Sequence, residues 1–262
     1  MTEPTPASVA VVGSSDGPDT SSQRPGALLT PAERKAALDA IASEVRACRR
    51  CPLWAGRTNA VPGEGDPDTE VVLVGEGPGF NEDRQGRPFV GRAGDLLVRL
   101  IATLGWRRED VFITNVVKCR PPENRDPEPA EIAACEPYLR RQLAILDPAL
   151  VVTLGRYSMA RFMPGARIGG AHGTMAPVDP ATGARSALAY ALYHPAAALR
   201  STEVERQSFA DVAGIPAALT EARRRRASLP EPTADRTIGA VPAAQSLQVE
   251  PPAHPADPPT LF

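Results

Sequence analysis

The sequence predicts an α/β protein, a three-layer α/β/α sandwich built on a central, mostly parallel sheet of four strands. Three observations carry that expectation. Short apolar runs rich in Val, Leu and Ile recur at 71–74, 111–113 and 150–154, as expected of strands buried on both faces. Stretches with apolar residues at helical spacing lie between them, so strand and helix alternate along the chain. Polar residues suited to chemistry fall directly after the strands, at the carboxyl edge where open α/β sheets bind ligands.

Residues 1–27 are mostly Ser, Thr, Pro, Asp and Gly, and residues 227–262 carry eight prolines with little periodicity. Both read as disordered tails that cannot bury enough apolar surface to offset the entropy of ordering. The segment between them, 28–226, is long enough for one hydrophobic centre. Thr30, Pro31 and Glu33 make a capping box with proline at the first helical position, and Leu38, Ile41 and Val45 line a helix running to about Ala47. A turn-rich link from Pro62 to Pro67 leads to a strand over 70–75. A glycine-rich loop follows, then a helix over about 93–104 with Leu96, Leu97, Leu100 and Ile101 on one face, stopped by Gly105. Val111 to Thr114 is the next strand and delivers Asn115 at its end. A Pro-rich loop gives way to a helix over roughly 130–146, then a strand over 150–154 and a short helix over 155–163. Strands at 174–178 and 187–193 are joined by a Pro-Ala-Thr-Gly turn, the second delivers His194 and Pro195, and a last helical region covers about 202–224.

No apolar run approaches bilayer length and the N-terminus has no basic region followed by an apolar one, so a cytoplasmic, intracellular protein with no membrane contact is expected. The net charge of −2 announces no nucleic-acid binder. The basic residues are nonetheless segregated: Arg46, Arg49, Arg50 and Arg57 in one group, Lys118, Arg120 and Arg125 in a second, Arg223 to Arg226 in a third. Such patches can hold phosphate that the net charge conceals, although solvated faces have the same composition.

The cysteines are Cys48, Cys51, Cys119 and Cys135. A CxxC pair with two distant partners in an intracellular chain favours metal ligation over disulfides. Their uneven spacing suits four-thiolate zinc and a 4Fe-4S cluster alike, and Cys135, on the apolar stripe of its helix, suits ordinary core as well.

The loop at 75–94 fails two phosphate-binding patterns. The dinucleotide fingerprint would need glycine where Phe80 stands, and the Gly-Lys-Ser/Thr of a Walker loop is missing. It could be a glycine-rich turn made for geometry alone. It also gathers three acids (Glu76, Glu82, Asp83) with an aromatic, Phe89, ahead of a helix N-terminus. Asn115 offers a paired acceptor and donor, matching an amide-like base edge, and His194 offers a donor to an anionic leaving group. Each alone would suit a structural role; together at one sheet edge they suggest a cleft.

GEGPGFNEDRQGRPFVGRAG, NVVKCRPPENRDPEPAEIAAC and HPAAALR resemble the three signature segments of the family-4, iron-sulfur uracil-DNA glycosylases, over about residues 35–220. The resemblance implies a 4Fe-4S cluster on the four cysteines and monofunctional hydrolysis of the N-glycosidic bond of deoxyuridine. The partner is uracil-containing DNA, single- or double-stranded, in base-excision repair at the nucleoid. Phe89 would stack on the flipped uracil, Asn115 would read its N3 and O4 edge and reject cytosine, and His194 would hydrogen-bond O2. Glu76 would position or activate the water, with Glu82 and Asp83 as rivals, because the best-studied branch has an aspartate and a tyrosine where this chain has Gly77 and Gly79. Backbone amides near Gly77 and Gly79 would also hold O2. Leu199 or Arg200 would fill the space the base vacates. Residues 115–135 contain no histidine, unlike a branch that traps the abasic sugar covalently, which favours turnover. A non-catalytic DNA-binding or polymerase-associated iron-sulfur module is the alternative. A monomer is expected, and the terminal Pro259-Thr260-Leu261-Phe262 resembles a docking peptide for a replication clamp.

Overall fold

A computed structural model describes residues 29–229 of the 262-residue chain. Helix α1 (Pro31–Ala47) begins as its sequence dictates. The Thr30 hydroxyl accepts the Glu33 N–H at 3.2 Å, and the Glu33 carboxylate accepts the Thr30 N–H at 2.8 Å. Helix α2 (Leu53–Gly56) and the two-residue strand β1 (Glu64–Gly65) lead to β2 (Val71–Gly75), then to helices α3 (Phe80–Gln85) and α4 (Arg92–Ala102). Strand β3 (Phe112–Asn115), helix α5 (Pro129–Leu146) and strand β4 (Leu150–Leu154) follow. Helices α6 (Arg156–Phe162) and α7 (Ile168–Ala171) precede β5 (Met175–Pro177) and β6 (Leu188–Leu192). Helices α8 (Pro195–Ala198), α9 (Thr202–Val212) and α10 (Ile215–Ala227) close the described chain.

The sheet has the order β1-β3-β2-β4-β6-β5. Its middle four strands, β3, β2, β4 and β6, are parallel, whereas β1 and β5 pair antiparallel at the two edges. The expected four-stranded parallel centre is therefore present inside a mixed sheet of six strands. Strand β1 escaped notice because two polar residues make no hydrophobic pattern.

Along β2 the side chains alternate between two cores. Val72 and Val74 join Leu38 and Ile41 of α1 and Leu139 and Leu143 of α5, while Val71 and Leu73 join Leu97 and Leu100 of α4 and Ile215 and Ala218 of α10. That division is the three-layer sandwich. Because the four middle strands run the same way, Gly75, Asn115, Gly155 and His194 all follow or end strands at one edge of the sheet.

Two expectations change. The glycine-rich loop contains α3, which is short and largely polar and so shows no period. The region expected as one helix over 202–224 is two, because Gly214 and Pro216 restart the backbone at α10. Helix α10 also runs to Ala227, past the expected boundary at 226, and the Arg226 guanidinium donates to the Asp147 carbonyl at 2.8 Å. The expected tails, apart from residues 227–229, and the clamp-like peptide at 259–262 lie outside the described residues. Among the described residues no helix is long and apolar enough to cross a membrane.

Candidate active site

Three of the residues singled out by the sequence meet beside Gly75. A Cβ added there would overlap the Asn115 Oδ1 and lie 2.6 Å from Cζ of Phe89, so only glycine lets the amide and the ring approach each other this closely. Asn115 pairs in register with Gly75 across β2 and β3. The Phe89 ring is in turn 5.7 Å from the His194 ring, tilted by 32°. One aromatic face, one amide and one imidazole therefore converge at the sheet edge.

Asn115 is 1% exposed, and among the described residues its Oδ1 is the one buried side-chain polar atom without a hydrogen-bond partner. Leaving a buried acceptor unmade costs about 1–3 kcal/mol, which is sensible where a ligand later supplies the donor. Lys118 holds the same residue from below. Its ammonium, buried and pulled down to about 8 by that burial, donates to the Asn115 carbonyl at 2.7 Å, to Thr114 Oγ1 at 2.5 Å and to Gln142 Oε1 at 2.7 Å.

His194 is the N-cap of α8, and its Nδ1 accepts the Ala196 N–H at 3.1 Å. Burial lowers its pKa to about 4, with the Glu82 carboxylate opposing and the Arg200 charge assisting. The ring is therefore neutral near pH 7. Because Nδ1 is the acceptor, the proton sits on Nε2, which is left as a donor. Gly155, at φ +89° directly after β4, backs this ring: a Cβ there would lie 2.8 Å from the His194 Cβ.

Phe89 stands at φ 51°, a left-handed backbone conformation that a non-glycine residue adopts only when its surroundings impose it. Arg108 imposes it. The guanidinium donates to the Phe89 carbonyl at 2.8 Å and to the Pro88 carbonyl, while Glu64 holds it at 2.9 and 3.0 Å. From the other side Glu82 Oε1 accepts the Val90 and Gly91 N–H groups at 2.9 and 3.0 Å, bracing the start of α4.

That geometry sorts the acids. Glu82 is engaged by the Phe89 turn. Asp83 is 3% exposed and accepts the Thr58 N–H at 2.9 Å and the Asn59 N–H at 3.3 Å. The Glu76 carboxylate takes no hydrogen bond among the described residues. Its pKa is raised by burial first and by the Asp126 charge second, with Arg156 pulling the other way. Its backbone is fixed, since the Glu76 carbonyl accepts the Val117 N–H at 3.0 Å. Gly77 lies against Val117, and Gly79 is the N-cap of α3. Leu199 is 37% exposed at the end of α8, and Arg200 follows it, near enough for its charge to act on His194.

The four cysteines come from the end of α1, the segment after β3, and α5, and they gather against one core. Their thiols are free and electrostatically linked: Cys51 to Cys48 and Cys119, and Cys135 to Cys119 and Cys51. Burial pushes the Cys135 thiol up to about 12, and the Lys118 N–H donates to its sulfur at 3.2 Å. Arg57 donates to the Cys119 sulfur at 3.1 Å. Cys135 thus belongs with the other three. Among the described residues no three His, Cys, Asp or Glu side chains are placed to share a single metal ion. Two buried thiols, Cys119 and Cys135, each with an N–H donor, and two half-buried ones, Cys48 and Cys51, still offer an all-sulfur donor set.

A separate groove of roughly 790 Å³, lined by Arg46, Arg57, Asn59, Glu64 and Arg87 among others, includes none of Glu76, Phe89, Asn115 or His194. Sequence reasoning missed Arg108, Lys118 and Gly155 as supports of the site. Gly155 left a trace as a glycine directly after a strand, whereas Lys118 stood only in a basic group that could hold phosphate, and its ammonium is instead buried and bonded inside the fold.

Residues 62–213 match the model of the uracil DNA glycosylase superfamily. The chain is 62% identical over 122 residues to a type-4 uracil-DNA glycosylase of Sulfurisphaera tokodaii, covering 46% of this chain and 56% of that protein. It is 44% identical over 181 residues to a type-4 uracil-DNA glycosylase of Thermotoga maritima, covering 68% of this chain and 93% of the relative. A type-5 uracil-DNA glycosylase of Thermus thermophilus is more distant, 35% identical over 134 residues, covering 45% of this chain and 59% of that protein. With more than half of its length matched by the family and a type-4 relative covered almost end to end, the chain belongs to the type-4 group of the uracil DNA glycosylase superfamily.

Proposed function

We propose that the chain removes uracil from DNA by hydrolysing the N-glycosidic bond of a flipped deoxyuridine, leaving an abasic site for base-excision repair. The observation that carries this reading is the unpartnered Asn115 Oδ1 beside the Phe89 ring and the neutral His194. The extruded base stacks on Phe89. Asn115 Oδ1 accepts the N3–H of uracil and its amide N–H₂ donates to O4. Cytosine presents an acceptor and a donor in the opposite order, so its entry would leave buried groups unmatched.

As the bond from C1′ to N1 lengthens, charge accumulates on the uracil ring and its O2. His194 Nε2–H donates to that oxygen, with the backbone amides near Gly77 and Gly79 assisting, and a donor fixed in advance favours the charged transition state over the ground state. Glu76 orients the attacking water and takes its proton as C1′ gains oxygen. A raised pKa makes its carboxylate the stronger base. Leu199 or Arg200 enters the duplex where the base has left.

Cys48, Cys51, Cys119 and Cys135 are the residues that would hold a 4Fe-4S cluster. When bound, such a cluster has all its protein positions filled by thiolate and supplies a structural brace. DNA is the partner, and the monomer is the acting form.

Purified protein should release free uracil from U-containing oligonucleotides and leave T- and C-containing ones intact. Binding without release would select a non-catalytic module instead.

A further inference from the structure

We propose that Phe80, between Arg84 and Arg120, is a stacking platform for an unpaired base beside the excised nucleotide, which biases the protein toward single-stranded DNA. The proposal rests on the DNA-acting reading above. Phe80 is 52% exposed, and no other large apolar side chain among the described residues is as open to water. It begins α3, next to Gly79 and four residues from Glu76, at the lip of the candidate site. Phe80 belongs to neither hydrophobic core, and the rest of α3 is polar.

Two guanidiniums gather on the ring from different parts of the chain. Arg84, one turn further along α3, lies 5.7 Å from the ring centroid, and Arg120, after β3, lies 5.2 Å from it. Neither pairs with a carboxylate among the described residues; Arg120 takes only the Asn124 Oδ1, at 2.7 Å. By contrast Arg87, Arg108, Arg125 and Arg156 are each matched to an acid. The aromatic and its two unneutralised cations form one unit of the kind that binds a single strand: a face for a base and charges for the phosphates on either side. The contacts between cation and ring are weak at an exposed site. An arriving strand can therefore draw the guanidiniums onto its phosphates and place a base on the uncovered ring.

The platform is rigid. Glu82 and Asp83, on the same helix, are tied to the Val90–Gly91 and Thr58–Asn59 amides. The bias toward single strands follows because a base in a duplex is already stacked on its neighbours, whereas an unpaired base gains a surface.

The test is fluorescence anisotropy with labelled, uracil-free oligodeoxythymidylate and a uracil-free duplex of equal length. Phe80→Ala should weaken single-strand binding roughly tenfold while duplex binding changes less than about twofold, and Phe80→Trp should restore the single-strand affinity. Arg84→Ala should flatten the salt dependence of single-strand binding by about 0.7 in logarithmic slope, one phosphate contact. Unchanged single-strand binding in Phe80→Ala, equal losses on both ligands, or failure of tryptophan to restore binding would each overturn the proposal. The wild-type protein, assayed on U-containing DNA, tests excision separately, because neither anisotropy ligand contains uracil.

Discussion

Asn115 shows most directly how one residue is committed to a ligand rather than to folding. Its carbonyl is held by the Lys118 ammonium while its buried Oδ1 faces no donor. Asn115→Ala removes an atom the folded chain does not satisfy, so its stability should hold while kcat/KM for uracil release falls roughly a hundredfold or more. A steady-state assay beside a thermal melt separates the two effects. Glu76 makes a prediction of pH. The active form is the carboxylate, so activity falls as pH drops through its raised pKa. Asp126 is one cause of that elevation and Arg156 opposes it. Asp126→Asn removes the first and frees the second, so both changes lower the Glu76 pKa. The acid limb of the kcat/KM profile should move to lower pH, and movement upward would contradict the role given to Glu76.

At the scale of elements, the site depends on a turn rather than on a helix or strand. The Phe89 turn is left-handed and lies between two charged braces: Arg108 on its carbonyls and Glu82 on the N–H groups that follow. It also requires Gly94, where a Cβ would overlap the Phe89 carbonyl. Stacking on Phe89 is available to the bound substrate as much as to the transition state. Arg108→Gln, which cannot fork between Glu64 and two carbonyls, should therefore raise KM roughly tenfold with a smaller change in kcat. A fall in kcat at constant KM would show that Arg108 acts on the chemical step instead. The turn was only half visible in advance: Phe89 stood out as an aromatic in a glycine-rich loop, but its brace lies 19 positions away.

At the scale of the whole molecule the four cysteines, from the end of α1, the segment after β3, and α5, pack against one core. Cys119 is the member bonded by Arg57, and its neighbour Lys118 reaches Asn115, so the thiols and the pocket share one short stretch of chain. Cys119→Ser should lower iron and sulfide content and reduce Tm by roughly 5–10 °C, since metal binding energy becomes folding energy. A colourless variant melting at the wild-type temperature would contradict a bracing role. Net charge alone hid the electrostatics at this scale: among the described residues acids pair with most arginines, and Arg84 and Arg120, on the Phe80 ring, are among those that have no carboxylate.

The sequence alone determined the local pieces. The buried strands, the capping box at Thr30 and the polar residues after each strand follow from near neighbours and from the period of apolar side chains. Those signals also placed Asn115 and His194 at one edge, because parallel strands share a carboxyl end. Only the tertiary structure decided which carboxylate was left without a bond, which nitrogen of His194 carries the proton, and that Cys135 joins the other thiols. Each of those depends on a partner brought near by the fold, such as the Val90 amide for Glu82 or the Lys118 amide for Cys135, and sequence periodicity carries no information about such partners.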